Sequence, residues 1–440
     1  NVKKFCIYVR EFGFGPALRM TADKIRSRYD GARAYASWIQ KSEQYDQEAC
    51  IREIDGWDEP PLVSVVVPVY NTPIPYLKAC IESVRNQYYP PWELCIADDA
   101  SPDPRVREVL ASYAGEDTRI KVARREVNGH ISAASNTALS LVTGEYVALL
   151  DHDDTLSPFA LYEAVRALRD HPEWDMLYSD EDKIDEGGKR TDPYFKPDWA
   201  PDTLLSSMYT CHLGVYRTSI VQEIGGFREG YEGAQDYDLV LRFCEKTQNI
   251  GHIPKILYHW RMIEGSTALT PGQKGYAWEA GRRALTDALS RRGIEARVHG
   301  FDDIPYYDVV YDTGRDDHVT IIIPTRDHGD DLQKCVDSIY AHTRMPFDIL
   351  IVDNGSVEDN TLALFDEYRE KHDNFSVLRL DIPFNFSRLN NEAAKMAEGN
   401  LLLFLNNDTQ VITDGWLARL AGHAAQPGIG AAGAKLYYPD

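Results

Sequence analysis

Two aspartates separated by one residue are the first candidates for chemistry in this sequence. Asp151 and Asp153 directly follow the apolar run Tyr146 to Leu150, which has the length of a buried strand. Carboxylates with this spacing at the end of a strand can hold a hard divalent ion through oxygen, and the ion can bridge a diphosphate. The pair is therefore a candidate site for Mn²⁺ or Mg²⁺, with a solvated acidic loop as the alternative.

The same spacing occurs at two other places, so the pattern alone is weak evidence in a chain this acidic. Asp180 and Asp182 form one of these pairs, and Asp236 and Asp238 form the other. Asp180 and Asp182 either contact a substrate or lie in a solvated turn. Only the position directly after a buried apolar run distinguishes Asp151 from these residues.

The elements that must position these side chains indicate an α/β fold. From residue 61 onward, short β-branched runs alternate with amphipathic helices, which is typical of a mostly parallel sheet covered by helices on both faces. Ligands of such sheets bind at the carboxyl ends of the strands. Asp98 and Asp99 follow another predicted strand, where a carboxylate can accept the imide N–H of a pyrimidine base.

Composition along the chain predicts four segments. Residues 1–60 are charged and helical, and Pro60-Pro61 ends them. Residues 61–300 contain the first set of alternating strands and helices. The acidic, Tyr-rich stretch 301–318 is predicted as a linker, and residues 319–440 begin a second set.

The second set is an internal repeat of the first. The run VSVVVP at 63–68 returns as VTIIIP at 319–324. Beyond it, four pairs of identical residues are each spaced 255 positions apart, namely Leu77 and Leu332, Asp98 and Asp353, Gly144 and Gly399, and Asp153 and Asp408. Loops of equal length between matching residues predict a tandem duplication of one domain.

The overall charge and the cysteines exclude several classes of protein. The formal net charge is −22, and a phosphate backbone is held by excess Lys and Arg, so non-specific nucleic-acid binding is disfavoured. The seven cysteines form no C-x-x-C pair, which favours a reducing cytosol over a disulfide or zinc framework. No apolar run approaches the roughly 20 residues that a membrane span requires.

Five motifs in order then resemble a known family. VSVVVPVYNT, WELCIADDAS, GEYVALLDHDD, EGAQDYDLVLR and LYHWR resemble the inverting family 2 glycosyltransferases of the GT-A fold. The resemblance covers about residues 61–300, and the second copy repeats its first half. The sequence is similar to those of bacterial two-domain enzymes that synthesise O-antigen, capsule or cell-wall polysaccharide, many of which are rhamnosyltransferases.

This resemblance implies an activity and its location. A sugar would move from a UDP- or dTDP-linked donor to a glycan or lipid-linked glycan hydroxyl in the cytoplasm, with peripheral association at the inner face of the membrane left open. The site residues that it implies are Pro68, Tyr70, Asn71, Asp98, Asp99 and Asp151 around the nucleotide, Asp153 and His259 on the metal, and Asp236 as the catalytic base.

Several of these roles have structural alternatives. Asp236 could instead cap a helix, and His259 could be a satisfied core histidine. In the second copy Asp353 and Asp408 would serve nucleotide and metal, but the counterparts of the base and the histidine would fall beyond Asp440, so this copy is expected to be incomplete. The alternative for the whole chain is a non-catalytic protein that binds nucleotide sugars or organises partner enzymes.

Overall fold

The computed structural model describes residues 31–262, 275–301, 304, 306–312 and 317–438. The chain divides into two compact units, the first comprising the chain up to Ala288 with Gly300–Asp308, and the second Leu289–His299 with Val309–Asp440. Predicted segment 1–60 is helical at 31–42 and at Gln47–Asp55, and its first 30 residues lie outside the described part. None of the described helices is long and apolar enough to cross a membrane.

One mixed sheet forms the first unit. Within the described residues it has nine strands in the order β3-β2-β1-β4-β8-β6-β9-β5, with β7 on β6. The strands are β1 (Val63–Val69), β2 (Trp92–Asp98), β3 (Ile120–Arg124), β4 (Tyr146–Leu149), β5 (Thr155–Leu156), β6 (Met176–Ile184), β7 (Arg190–Tyr194), β8 (Gly214–Arg217) and β9 (Ile250–Arg261).

The parallel half of this sheet aligns the ends of its strands. Strand β1 pairs in parallel with β2 and with β4, and Val69 at the end of β1 lies opposite Asp98. Strand β8 then runs antiparallel to β4, so its first residues lie at the same edge. The residues that follow β1, β2 and β4 and those that precede β8 therefore lie at one edge, which confirms the expected α/β architecture.

Helices cover both faces of the sheet because its central strands are apolar on both sides. Val63, Val65, Val67 and Val69 belong to one core cluster, and Val66 belongs to another, as the alternation of side chains along a strand requires. The helices are α1 (31–42), α2 (Gln47–Asp55), α3 (Ile74–Arg85), α4 (Pro104–Glu116), α5 (His130–Leu139), α6 (Ala160–Asp170), α7 (Pro201–Leu204), α8 (Thr218–Glu223), α9 (Gln235–Phe243) and α10 (Gly275–Arg291).

The predicted linker 301–318 contains a strand. Residues Tyr307–Tyr311 form β11, which pairs with β10 (Ala296–Gly300). Tyr307, Val309 and Tyr311 are buried, so alternate side chains of this stretch pack into the protein.

The second unit repeats the parallel half of the first. Its sheet has the order β14-β13-β12-β15, and all three pairings are parallel. Its elements are β12 (Val319–Thr325), α11 (Gly329–His342), β13 (Phe347–Asp353), α12 (Asp359–Lys371), β14 (Phe375–Arg379), α13 (Phe386–Ala394), β15 (Leu401–Phe404) and α14 (Trp416–Ala424).

The two copies also agree in single hydrogen bonds. The amide of Gly144 donates to Ser64 Oγ, and the amide of Gly399 donates to Thr320 Oγ1, both at 2.9 Å. Since each bond joins the glycine before the fourth strand of the repeat to the hydroxyl residue at the start of its first strand, the structure confirms the duplication that the repeat predicted.

The two glycines give a test of this shared packing. A Cβ at Gly144 would lie 2.5 Å from the carbonyl oxygen of Leu62, so Gly144→Ala should lower the free energy of unfolding by about 1–3 kcal/mol through overpacking. Gly399→Ala should act in the same direction, since its Cβ would lie 2.6 Å from a backbone oxygen.

Gly115→Ala is the matched control, because the helical Gly115 has nothing within 4 Å of the added Cβ. Its thermal midpoint should be equal to or above that of the original protein. A Gly144→Ala protein that unfolds at the original midpoint would contradict the close approach.

Candidate functional site

The loop Asp151–Asp154 follows β4 and is fastened by strand β9. Asp154 is buried, and its carboxylate accepts from the Tyr258 hydroxyl at 2.5 Å and from the Arg261 amide at 2.7 Å. The Arg261 guanidinium donates to the Asp153 carbonyl at 2.7 Å. The loop conformation therefore depends on Tyr258 and Arg261, both of the LYHWR motif.

Asp151 and Asp153 remain available at this edge to different degrees. Their side chains are 43% and 18% exposed. Burial raises the pKa of Asp153, with a further rise from Asp151, and burial together with both neighbours raises the pKa of Asp154. The three carboxylates repel one another, so a cation at this point would be favoured electrostatically.

A divalent ion fits these residues only if other oxygens complete its shell. Among the described residues, no group of three or more His, Cys, Asp or Glu side chains is arranged to hold a metal. Mg²⁺ is commonly bound by one or two protein carboxylates together with the phosphates of a substrate. Asp151 and Asp153 match that donor set.

His212 lies directly before β8 and next to this loop. Its Nε2 is 3.8 Å from Asp151, its Nδ1 is 3.4 Å from Glu181, and its ring stacks on Tyr258 at 4.6 Å. Burial alone would lower the pKa of His212, but Glu181, Asp151 and Asp154 outweigh it and raise that pKa to about 9. His212 is therefore a cation beside the acidic loop at neutral pH.

A buried lysine holds the backbone on which His212 lies. Lys196 Nζ donates to the carbonyl oxygens of Thr210 at 2.9 Å and His212 at 2.5 Å, and it contacts Glu181 at 3.1 Å. Burial opposes the charge of Glu181, but Lys196 and His212 lower its pKa to about 2. This set of charges fixes the segment before β8.

Asp236 lies in the first turn of α9. The N-cap of this helix is Ala234, and the Asp236 carboxylate accepts from the next amide, that of Tyr237, at 2.8 Å. Asp236 is therefore not the helix cap. Burial raises the pKa of Asp236, the charge of His212 lowers it and the charge of Asp151 raises it.

Asp238 has a different environment from Asp236, although both belong to the same Asp-x-Asp pattern. Asp238 is completely buried and forms ion pairs with Arg228 and with Arg242, the latter at 2.8 Å. Its carboxylate is thus part of the scaffold.

His259 has the arrangement of a satisfied core histidine. Its Nδ1 lies 2.5 Å from Asp182, and its Nε2 lies 3.0 Å from Ser157 Oγ. Both ring nitrogens are therefore engaged by protein groups. The role of His259 as a metal ligand, which the resemblance implied, stays a prediction.

Asp180 and Asp182 are both buried, and both contact protein donors. Asp180 accepts from the Lys196 amide at 2.8 Å and lies 2.9 Å from His252. Asp182 accepts from Tyr35 and from Arg190, each at 2.5 Å. Both carboxylates therefore take part in the scaffold in this conformation, and their contact with a substrate stays a prediction.

The predicted nucleotide residues line the ends of β1 and β2. Pro68 is buried within β1, whereas Tyr70 and Asn71 are exposed just beyond it. Asp98 accepts from the Ser101 amide at 3.0 Å, and Asp99 accepts from the Gly129 amide at 3.0 Å. Both carboxylates thus shape the loops at this edge.

The second copy repeats this arrangement in part. Asp353 accepts from the Ser356 amide and from Arg379, each at 2.8 Å. Asn354 takes the place of Asp99, and its buried Oδ1 has no hydrogen-bond partner. Asp408 is exposed.

Sequence reasoning missed three supporting residues. Tyr258 and Arg261 belong to the LYHWR motif, which also contains His259, so the motif itself pointed to both residues. His212 follows no pattern of its own, and its place beside Asp151 depends on the antiparallel pairing of β8 with β4.

Comparison with known proteins assigns both copies to one family. The family described as Glycosyl transferase family 2 matches residues 64–225 and 320–440. An uncharacterised protein of Sinorhizobium fredii is 48% identical over 384 residues, which are 86% of this chain and 42% of that protein. An O-antigen biosynthesis protein of Myxococcus xanthus is 40% identical over 409 residues, which are 92% of this chain and 32% of that protein. The chain thus spans less than half the length of either relative.

A solved structure is also similar. The Staphylococcus aureus TarS fragment 1–349 in complex with UDP-GlcNAc is 24% identical, with a TM-score of 0.43, and the match covers 52% of this chain and 66% of that chain.

The support of the acidic loop by Tyr258 can be tested directly. Tyr258→Phe removes the hydroxyl that donates to Asp154 and accepts from the Asp151 amide, so it should lower the free energy of unfolding by about 1–3 kcal/mol. Hydrogen exchange of the peptide 150–155 should become faster.

The matched control is Tyr178→Phe. The hydroxyl of the buried Tyr178 donates to the Pro197 carbonyl at 2.7 Å, so its loss should also cost stability while leaving exchange at 150–155 unchanged. Equal exchange of that peptide in both variants would show that Tyr258 does not hold the loop.

Proposed function

Because the chain belongs to glycosyl transferase family 2, we propose that its first copy transfers a sugar with inversion from a nucleoside diphosphate to a glycan hydroxyl. The observation that supports this most directly is the place of Asp236. It lies in the first turn of α9, and burial together with the charge of Asp151 raises the pKa of its carboxyl group while the charge of His212 lowers it.

The donor is proposed to be a UDP- or dTDP-sugar. Asp98 ends β2 and Asp99 follows it, and backbone amides position both carboxylates. Tyr70 and Asn71 are exposed on the neighbouring loop. These residues would surround the base and ribose. In the second copy Asp353 and Asp408 would form a corresponding nucleotide site.

The acceptor is proposed to be a growing glycan, free or lipid-linked, of a bacterial surface polysaccharide. The relative named for O-antigen biosynthesis supports this class. Such an acceptor would be met in the cytoplasm or at the inner face of the membrane.

Asp153, together with Asp151, would hold a divalent cation, Mn²⁺ or Mg²⁺. The diphosphate of the donor would supply further oxygen ligands. When bound, the ion supplies neutralisation of negative charge on the leaving group. Arg261 and Tyr258 keep the loop in the conformation that presents both carboxylates.

Asp236 would act as the base. The acceptor oxygen forms its bond to the anomeric carbon on the face opposite the diphosphate, and the bond to the diphosphate breaks. The hydroxyl proton passes to the Asp236 carboxylate. Because burial raises the pKa of Asp236, its basicity is greater than that of an exposed aspartate.

Asp153→Ala tests the donor side. Affinity for UDP or dTDP in the presence of Mn²⁺ should fall by at least about tenfold, because even residues that only support a metal ligand commonly cost that much. Isothermal calorimetry with and without Mn²⁺ measures the effect.

Asp170→Ala is the control for this variant. It also removes one carboxylate, but from the exposed end of α6, and should bind as the original protein does. Affinity of Asp153→Ala equal to that of the control would remove Asp153 from the metal site.

Asp236→Asn tests the base. Turnover should fall by about 10²- to 10⁴-fold with donor affinity unchanged, because a base acts on the acceptor proton only in the transition state. The pKa on the acid limb of the kcat–pH profile of the original protein should lie above the usual range of an aspartate, since burial raises the pKa of Asp236. Initial rates across pH and donor binding are the measurements.

Asp202→Asn serves as the control, since Asp202 is an exposed residue in the first turn of another helix of the same unit. If Asp236→Asn loses donor binding with its activity, Asp236 belongs to the donor site. If the original protein binds nucleotide but transfers no sugar to any glycan, the non-catalytic binding protein becomes the better account.

A further inference from the structure

We propose that His212 is a positioning residue of the donor side, which holds the Asp151 carboxylate at the edge of the site. The proposal rests on the proposed function for what Asp151 binds. It rests on geometry alone for the pair that His212 and Asp151 form.

The ring of His212 is fixed on three sides. Glu181 faces its Nδ1 at 3.4 Å, Tyr258 stacks on its plane at 4.6 Å, and Asp151 faces its Nε2 at 3.8 Å. The His212 amide also donates to Glu181 at 3.1 Å. Glu181 and Tyr258 thus contact the ring from the scaffold side, and its Nε2 edge faces the loop.

Asp151 needs such a partner more than its neighbours do. The Asp154 carboxylate is fastened by Tyr258 and Arg261, whereas the Asp151 carboxylate, at 43% exposure, pairs among the described residues with His212 alone. A half-exposed carboxylate on a loop would otherwise sample several rotamers. Holding one of them reduces the entropy lost when a ligand is bound.

A second histidine is packed in a similar way but does not face the loop Asp151–Asp154. His252 stacks on Tyr178 at 4.9 Å and lies 2.9 Å from Asp180 of the same strand β6. Its other nitrogen faces Asp198 at 3.1 Å. His252 therefore provides a matched comparison, with similar packing and charge but no contact to Asp151.

The experiment is a double-mutant cycle with His212→Gln, Asp151→Asn and both together. The readouts are the Kd of UDP and of dTDP with Mn²⁺, and KM and kcat for a donor that the original protein uses. We expect His212→Gln to raise Kd and KM by about fivefold, with kcat within about twofold. In the Asp151→Asn background the same substitution should change Kd by less than about twofold.

His252→Gln should leave Kd and KM unchanged and should be additive with Asp151→Asn. His212→Lys, which keeps a positive charge without the stacked ring, should restore little of the affinity if position matters more than charge. An equal effect of His212→Gln in both backgrounds, or a fall in kcat with KM unchanged, would overturn the positioning role.

Thermal unfolding of the same variants separates this proposal from the proposed function. A His212–Asp151 pair predicts non-additive stability changes in this cycle and additive ones in the cycle with His252. If the original protein binds neither UDP nor dTDP, the proposed function fails, and an additive unfolding cycle would independently reject the pair.

Discussion

The collection of several carboxylates at one edge of a sheet is the constraint on which the rest of the first unit depends. A buried carboxylate is costly unless it is paired and hydrogen-bonded. The protein meets this requirement differently for each group. Glu181 is paired with Lys196, and Asp154 accepts hydrogen bonds from Tyr258 and Arg261. The carboxylate of Asp98 at the end of β2 accepts from a backbone amide.

Strand β9 supplies Tyr258 and Arg261, and strand β6 carries Glu181, so these two strands act as the scaffold of the acidic edge. They pair in parallel over much of their length, with Asp182 opposite His259. The N-terminal segment braces the same pair, because Tyr35 donates to Asp182 and Glu43 pairs with Arg190. The segment predicted as a separate helical region is thus, where described, part of the packing behind the site.

Comparison of the two copies shows what surrounding strands contribute. Val147 of β4 is completely buried, and β4 pairs with β8 as well as with β1. The corresponding Leu402 of β15 is 42% exposed, and among the described residues β15 pairs with β12 alone. The corresponding strands β4 and β15 therefore have different environments in the two units, although the hydrogen bonds within the repeat are alike.

The sequence by itself determined the α/β class, the duplication and the edge at which Asp98 and Asp151 lie. These follow from local periodicity and spacing, and parallel strands bring their carboxyl ends together whatever else surrounds them. Only the tertiary structure decided which acidic residues stay accessible. Asp238 and Asp182 share the spacing of Asp151 but are buried against arginines, and His212 rather than His259 lies beside Asp151. The contacts of His212 with Asp151 and of His259 with Asp182 join residues tens of positions apart, so no local pattern contains them.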